Sequence, residues 1–187
     1  MRTIMVIRTT MSMIKRPAMT IEAAPAVARA LAADTEVSAA LFAWFSPAFP
    51  TGGFAYSHGI EAAAAEGAVA GESDLALWIE ALLSHGGGWT DAVLLNAVHR
   101  VALADDEPGL SDLAALAEAL APSRERLAET LGQGEAFSQA VAAGWPRCAW
   151  SCAPLRLAHP LAAGIACARL GACARTALTA YLTAFSA

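Results

Sequence analysis

The chain has 187 residues and a mass of 19.2 kDa, enough for one domain with a core of its own. Its net charge of −5 and pI of 5.3 argue against nucleic acid as the main partner, because phosphate neutralisation needs a basic face. Its residues are 57% hydrophobic and 16% charged, against roughly 25% charged in an average soluble domain. The excess is largely alanine, the best helix former, and no alternating strand pattern competes with it, so an all-α fold is expected: a single-domain bundle of short to medium helices.

Residues 1–36 form a first segment. Met1, Met5, Met11, Met13 and Met19 crowd it, as do Arg2, Arg8, Lys15 and Arg16. It reads as a flexible leader with an internal start codon, since termini fray and no apolar core or cleavage site of a secretory signal follows the cations. The helical domain is expected over residues 37–187. Asp34-Thr35 offers an N-cap for a helix over Glu36–Phe45, loaded with Leu41, Phe42, Trp44 and Phe45. Pro47 ends it. The uncharged run Val37–Ile60 is long enough to span a membrane, but Pro47, Pro50 and Gly52-Gly53 break its middle, where lipid leaves freed backbone groups unpaired. A membrane partner is therefore not expected.

The stretch Phe45–Glu61, FSPAFPTGGFAYSHGIE, is the most constrained in the chain. Two prolines precede a glycine pair, and aromatic residues flank it, which predicts a built turn pressed inward or against a partner. Ser57 is the expected cap of the next helix, to Gly67. Ser73-Asp74 then starts a helix with Leu75, Trp78, Ile79, Leu82 and Leu83 at helical spacing, closed by His85 and Gly86-Gly87-Gly88. Thr90 caps a helix to Ala104 whose buried stripe is Val93, Leu94, Ala97, Val98 and Val101. Asp105–Gly109 is a solvated loop, and Ser111 caps a short helix to Ala121.

Ser123–Ala143 reads as a long helix interrupted at Gly132 and Gly134. Glycine costs a helix roughly 1 kcal/mol relative to alanine, so Gly132-Gln133-Gly134 calls for a close helix crossing or a kink. Gly144-Trp145-Pro146 ends it, and a loop runs to His159. Pro160 opens a helix through Leu170, and a last helix from Cys173 carries Leu178, Tyr181, Leu182 and Phe185 on its apolar face. That face is still running at Ala187, which reads as a truncated chain.

Three kinds of chemistry compete. Cys148, Cys152, Cys167 and Cys173 could supply thiolates to a metal in a small cytosolic metal-binding protein, but only the first pair has zinc-site spacing; buried cysteine more often acts as a small hydrophobe. His58, His85, His99 and His159 are scattered, and only His58 lies in the constrained turn. Ser57-His58 is no nucleophile–base pair, because sequence neighbours do not place a hydroxyl against an imidazole. Elimination leaves a binding or assembly protein with no catalytic residue, and Trp89, Trp145 and Trp150 are candidate contacts.

The PAFPTGGFAYSHGIEAA stretch resembles the signature of the urease accessory protein UreF family, with Ile60 in the place of leucine and Ser46 where the family often has an acid. The likeness continues through WIEALLSHGGGWTDAVLL with Asp91, through Arg124, Glu129, Thr130, Gln133, Gly134 and Phe137, and through His159-Pro160 with Gly164, and so covers residues 37–187. It implies a partner-binding or structural motif of Pro47, Pro50, Gly52, Gly53, Phe54, Tyr56, Ser57, His58, Gly59, Glu61, Arg124, Glu129 and Gln133. It also implies a cytoplasmic, non-enzymatic scaffold that dimerises within its complex, binds UreD (UreH in some organisms), the GTPase UreG and apo-urease, and holds no cofactor stably while the complex handles nickel. A later R-L-x-P-L-G-Q-like segment of the family is absent from this chain.

Overall fold

The computed structural model describes residues 24–53, 57–150 and 155–186. Every regular element among the described residues is helical: α1 (Ala24–Trp44), α2 (Ile60–Ala65), α3 (Glu72–Ser84), α4 (Gly87–Leu103), α5 (Glu107–Ala119), α6 (Arg124–Gly144), a 3₁₀ turn (Pro146–Cys148), α7 (His159–Leu170) and α8 (Ala174–Phe185). The all-α expectation holds. The chain divides into two compact units, residues 1–35 and 36–187. Most of the leader, residues 1–23, lies outside the described residues. None of the described helices is long and apolar enough to cross a membrane.

In the larger unit α7 is the central helix, and every residue from Pro160 to Ala168 is buried. Its most extensive neighbours are α4 and α6. Small residues make this possible. A Cβ on Gly164 would lie 2.4 Å from Val98 Cγ1 and 2.9 Å from the Leu95 carbonyl oxygen, so α4 can sit this close only against glycine. A Cβ on Gly134 would lie 2.0 Å from the Leu157 carbonyl oxygen, which sets α6 directly on the strand of chain entering α7. Gly134 therefore marks a close crossing. Gly132 has open space around it, and α6 runs through both without interruption. The core adds Trp44, Leu95, Phe137, Leu161 and Ile165, and a buried 2.8 Å hydrogen bond between His99 Nε2 and the Ala172 carbonyl ties α4 to the α7–α8 turn.

Several helix starts differ from the sequence reading. Asp34 and Thr35 lie inside α1, where the Thr35 hydroxyl bonds back to the Leu31 carbonyl, and Phe42 is 83% exposed. Gly59, at φ 81°, precedes α2 in place of Ser57. Gly86 caps α4, so Gly87 and Gly88 form its first turn and Thr90 is interior. That register buries Asp91, Leu95 and His99 beside Leu94 and Val98, and turns Val93 outward. Asp106, accepting from Gly109 N at 3.0 Å, caps α5 in place of Ser111. At α6 the Ser123 hydroxyl accepts from Arg126 N at 3.2 Å, a side-chain N-cap.

Candidate functional site

Phe45 and Phe49 hold the chain after α1 onto the rest of the unit. The Phe45 ring meets Phe137 of α6 and Tyr181 of α8, and Phe49 meets Phe137 and Trp145. The start of the turn is thus pressed inward, onto α6 and α8. At its far end His58 takes φ 49°, its ring stacks on Phe185 at 4.1 Å, and its carbonyl accepts from the Trp78 indole N–H at 3.4 Å.

Between this turn, α3 and the end of α8 lies a cavity of about 570 Å³. Its α3 wall is apolar, built by Leu75, Ile79 and Leu82, and Phe185 faces it from α8. Its floor is charged. Arg126 of α6 donates from Nη2 to Asp91 Oδ2 at 3.1 Å and from Nη1 to Glu129 Oε1 at 2.7 Å. Tyr181 donates its hydroxyl to the same Asp91 oxygen at 2.9 Å, and Gln133 donates to Glu129 Oε1 at 3.2 Å. One guanidinium therefore serves two carboxylates from α4 and α6. Burial pushes both carboxyls above their ordinary values, although Arg126 and the neutral donors pull the other way.

His159 stands over this network. Its Nδ1 lies 3.4 Å from the Tyr181 oxygen, and its main-chain N–H donates to the Thr130 hydroxyl at 3.2 Å. Tyr181 spends its single O–H on Asp91, so its oxygen accepts from His159 and Nδ1 carries the hydrogen. Nε2 is then a bare acceptor, buried and without a partner among the described residues. Burial first, and then the Arg126 charge, bring the His159 pKa down to about 4, and the same two causes lower His58. Both rings are neutral near pH 7. The indole N–H of Trp44, a residue that also lines the cavity, is a second buried group without a partner among the described residues.

Of the residues singled out in the sequence, Pro47, Gly53, Ser57, His58, Glu129 and Gln133 line this cavity. Pro50, Gly52, Gly59, Glu61 and Arg124 are exposed and stand outside its lining. Phe54 and Tyr56 lie outside the described residues. Arg126 and Tyr181 carry most of the network, yet the sequence singles out neither as a site residue and places Tyr181 on an apolar face. The missed signal was the spacing of Arg126, Glu129, Thr130, Gln133, Gly134 and Phe137, which repeats at helical period and puts the polar residues on the buried face of α6.

Among the cysteines, Cys152 lies outside the described residues, Cys148 and Cys167 are buried and Cys173 is exposed. Burial pushes the Cys167 thiol up to about 12. No group of three or more His, Cys, Asp or Glu among the described residues is placed to hold a metal ion. Trp89 is 57% exposed, whereas Trp145 packs edge-on to Trp44 and Trp150 lies under the Arg169 guanidinium.

Residues 69–187 match the family model described as UreF. The chain is 49% identical over 146 residues to a urease accessory protein UreF of Mesorhizobium japonicum, covering 78% of this chain and 64% of that protein. A UreF of Rhizobium etli is 46% identical over 155 residues, 82% of this chain and 68% of that protein, and one from Methylobacterium sp. (strain 4-46) is 42% identical over 149 residues, 78% and 60%. The chain thus spans about two thirds of the length of these curated relatives. An alignment of 155 residues within 187 necessarily includes the Phe45–Glu61 turn, which the family-model match, beginning at residue 69, does not. No solved structure gives a significant match. On these similarities, the chain belongs to the UreF family of urease accessory proteins.

Proposed function

We propose that this protein is a non-enzymatic scaffold of urease maturation in the cytoplasm. It binds a UreD-type (UreH-type) accessory protein, and with it recruits the nickel-carrying GTPase UreG and docks on apo-urease, acting as a dimer within that complex. Nickel is cargo of the assembly and no cofactor is held stably by this chain. The carrying observation is the uncovered cavity: α3 has no fully buried residue, and its apolar face lines open space above a floor of paired charges. A half-buried apolar face left over open space is what a docking partner covers. The floor suits binding better than acid–base chemistry, because Arg126, Asp91, Glu129 and Tyr181 are spent on one another. The motif residues that line the cavity, Pro47, Gly53, Ser57, His58, Glu129 and Gln133, would shape that docking face. Those outside it, Pro50, Gly52, Gly59, Glu61 and Arg124, would set the course of the turn and of α6.

Co-expression with a UreD-type protein and apo-urease, followed by size-exclusion chromatography, tests the reading. Co-elution is expected, weakened by bulky replacements of Gly52 and Gly53. A chain that elutes alone while a longer UreF relative co-elutes with the same proteins would refute the role for this chain.

A further inference from the structure

We propose that the cavity between α3 and α8 is a socket for one cationic side chain, a lysine or arginine carried on an apolar segment of a partner protein. The proposal goes beyond the scaffold role and stands on the cavity alone, whichever accessory protein supplies the segment. The floor carries one guanidinium against two carboxyl groups whose side chains are about nine-tenths buried, an excess of one negative charge when both are ionised. The two histidines that line the cavity do not supply the missing cation, because burial and Arg126 keep both neutral.

Hydrogen-bond capacity points the same way. The bonds among the described residues use only Oδ2 of Asp91 and only Oε1 of Glu129. Oδ1 and Oε2 remain as carboxylate acceptors beside the bonded oxygens. A group with several N–H donors and a positive charge complements them, and ammonium and guanidinium are the side-chain groups of that kind. A metal ion fits less well, since no three His, Cys, Asp or Glu among the described residues converge on one point. The walls select the rest of the ligand. Leu75, Ile79 and Leu82 offer an apolar face to the methylene stem and to flanking aliphatic residues, as long cationic side chains bury their stems beside apolar surface. A buried cation also needs its counter-charge held in place, and here Tyr181 and Gln133 fix the two carboxylates.

The test uses the 187-residue chain and two capped peptides, one with a Leu-Lys-Leu core and one with norleucine in place of the lysine, titrated by calorimetry. The lysine peptide is expected to bind at least tenfold more tightly. Glu129→Gln, which keeps the shape and the Arg126 and Gln133 neighbours, is expected to bring that ratio close to one. Leu82→Ala is expected to weaken both peptides while leaving the ratio unchanged, and circular dichroism verifies that each variant is folded. Equal binding of the two peptides, binding of neither, or a ratio untouched by Glu129→Gln would overturn the proposal. So would stoichiometric displacement of the lysine peptide by Ni²⁺, which would make the socket a metal site.

Discussion

Helices α7 and α3 are both rich in apolar residues, yet one is sealed on all sides and the other has no buried residue. The difference lies in side-chain size. α7 presents Ala162, Ala163, Gly164, Ala166 and Ala168, so α4 approaches until its Val98 side chain and Leu95 backbone meet Gly164, and α6 until the Gly134 backbone meets that of Leu157–His159. α3 presents Leu75, Ile79 and Leu82, which reach out over a cavity that nothing else in the described chain fills. Small residues bring helices together and close the core, whereas large ones hold the neighbouring surface away and leave a groove. Apolar content alone separates neither case from the other; what decides is whether another element covers the face.

The contrast can be broken first at the sealed crossing. Gly134→Val is expected to abolish cooperative unfolding, because its Cβ alone would sit 2.0 Å from the Leu157 carbonyl oxygen. Overpacking of this sort costs about 3 kcal/mol or more, and a urea titration reads it directly. Next in size is the cavity floor. Arg126→Met leaves Asp91 and Glu129 without their shared cation and should cost about 3 kcal/mol, in the range for breaking a buried pair. Part of that loss should be recovered as the pH is lowered and the carboxyls take up protons, which a simple packing defect would not show.

The third prediction concerns His159. Its folded pKa of about 4 lies below the ordinary 6.5, so between those values the unfolded chain binds the extra proton. Stability therefore falls as pH drops from 6.5 to 4, by about 3 kcal/mol from this residue if the shift is taken at 1.36 kcal/mol per pH unit. His159→Gln should flatten that slope relative to the parent chain. Tyr181→Phe comes next, at about 1.5–2 kcal/mol for a lost hydrogen bond to a charged group. The smallest effect belongs to the exposed Arg147–Glu36 pair, whose removal should change stability by about 0–1 kcal/mol and vanish in high salt.

Much of the frame was legible in the chain. The helical period placed Leu94, Val98 and Tyr181 in the interior, Gly171 ended α7, and the glycine cost in α6 announced the crossing at Gly134. Helix starts were less legible. Cap propensity favours Ser57, Thr90 and Ser111, but Gly59, Gly86 and Asp106 hold those positions, the glycines with no side-chain cap bond and Asp106 by accepting from Gly109 N. The charged floor was illegible for another reason. Arg126 sits in a run of alternating charges spaced for pairing along the helix, and only the inward turn of Thr130, Gly134 and Phe137 shows that this side of α6 is buried. The resemblance had marked Asp91 and His159 as matching positions, but nothing in their spacing said that they meet Arg126 and Tyr181.

The most direct test of the α3 side as the working face is hydrogen–deuterium exchange on the chain alone and in complex with a UreD-type protein. New protection is expected in α3 and in residues 45–51, around the cavity mouth, with α7 already protected and unchanged. Protection confined to the outer surfaces of α4 and α5, around Trp89 and Leu116, with α3 exchanging as fast as before, would contradict it.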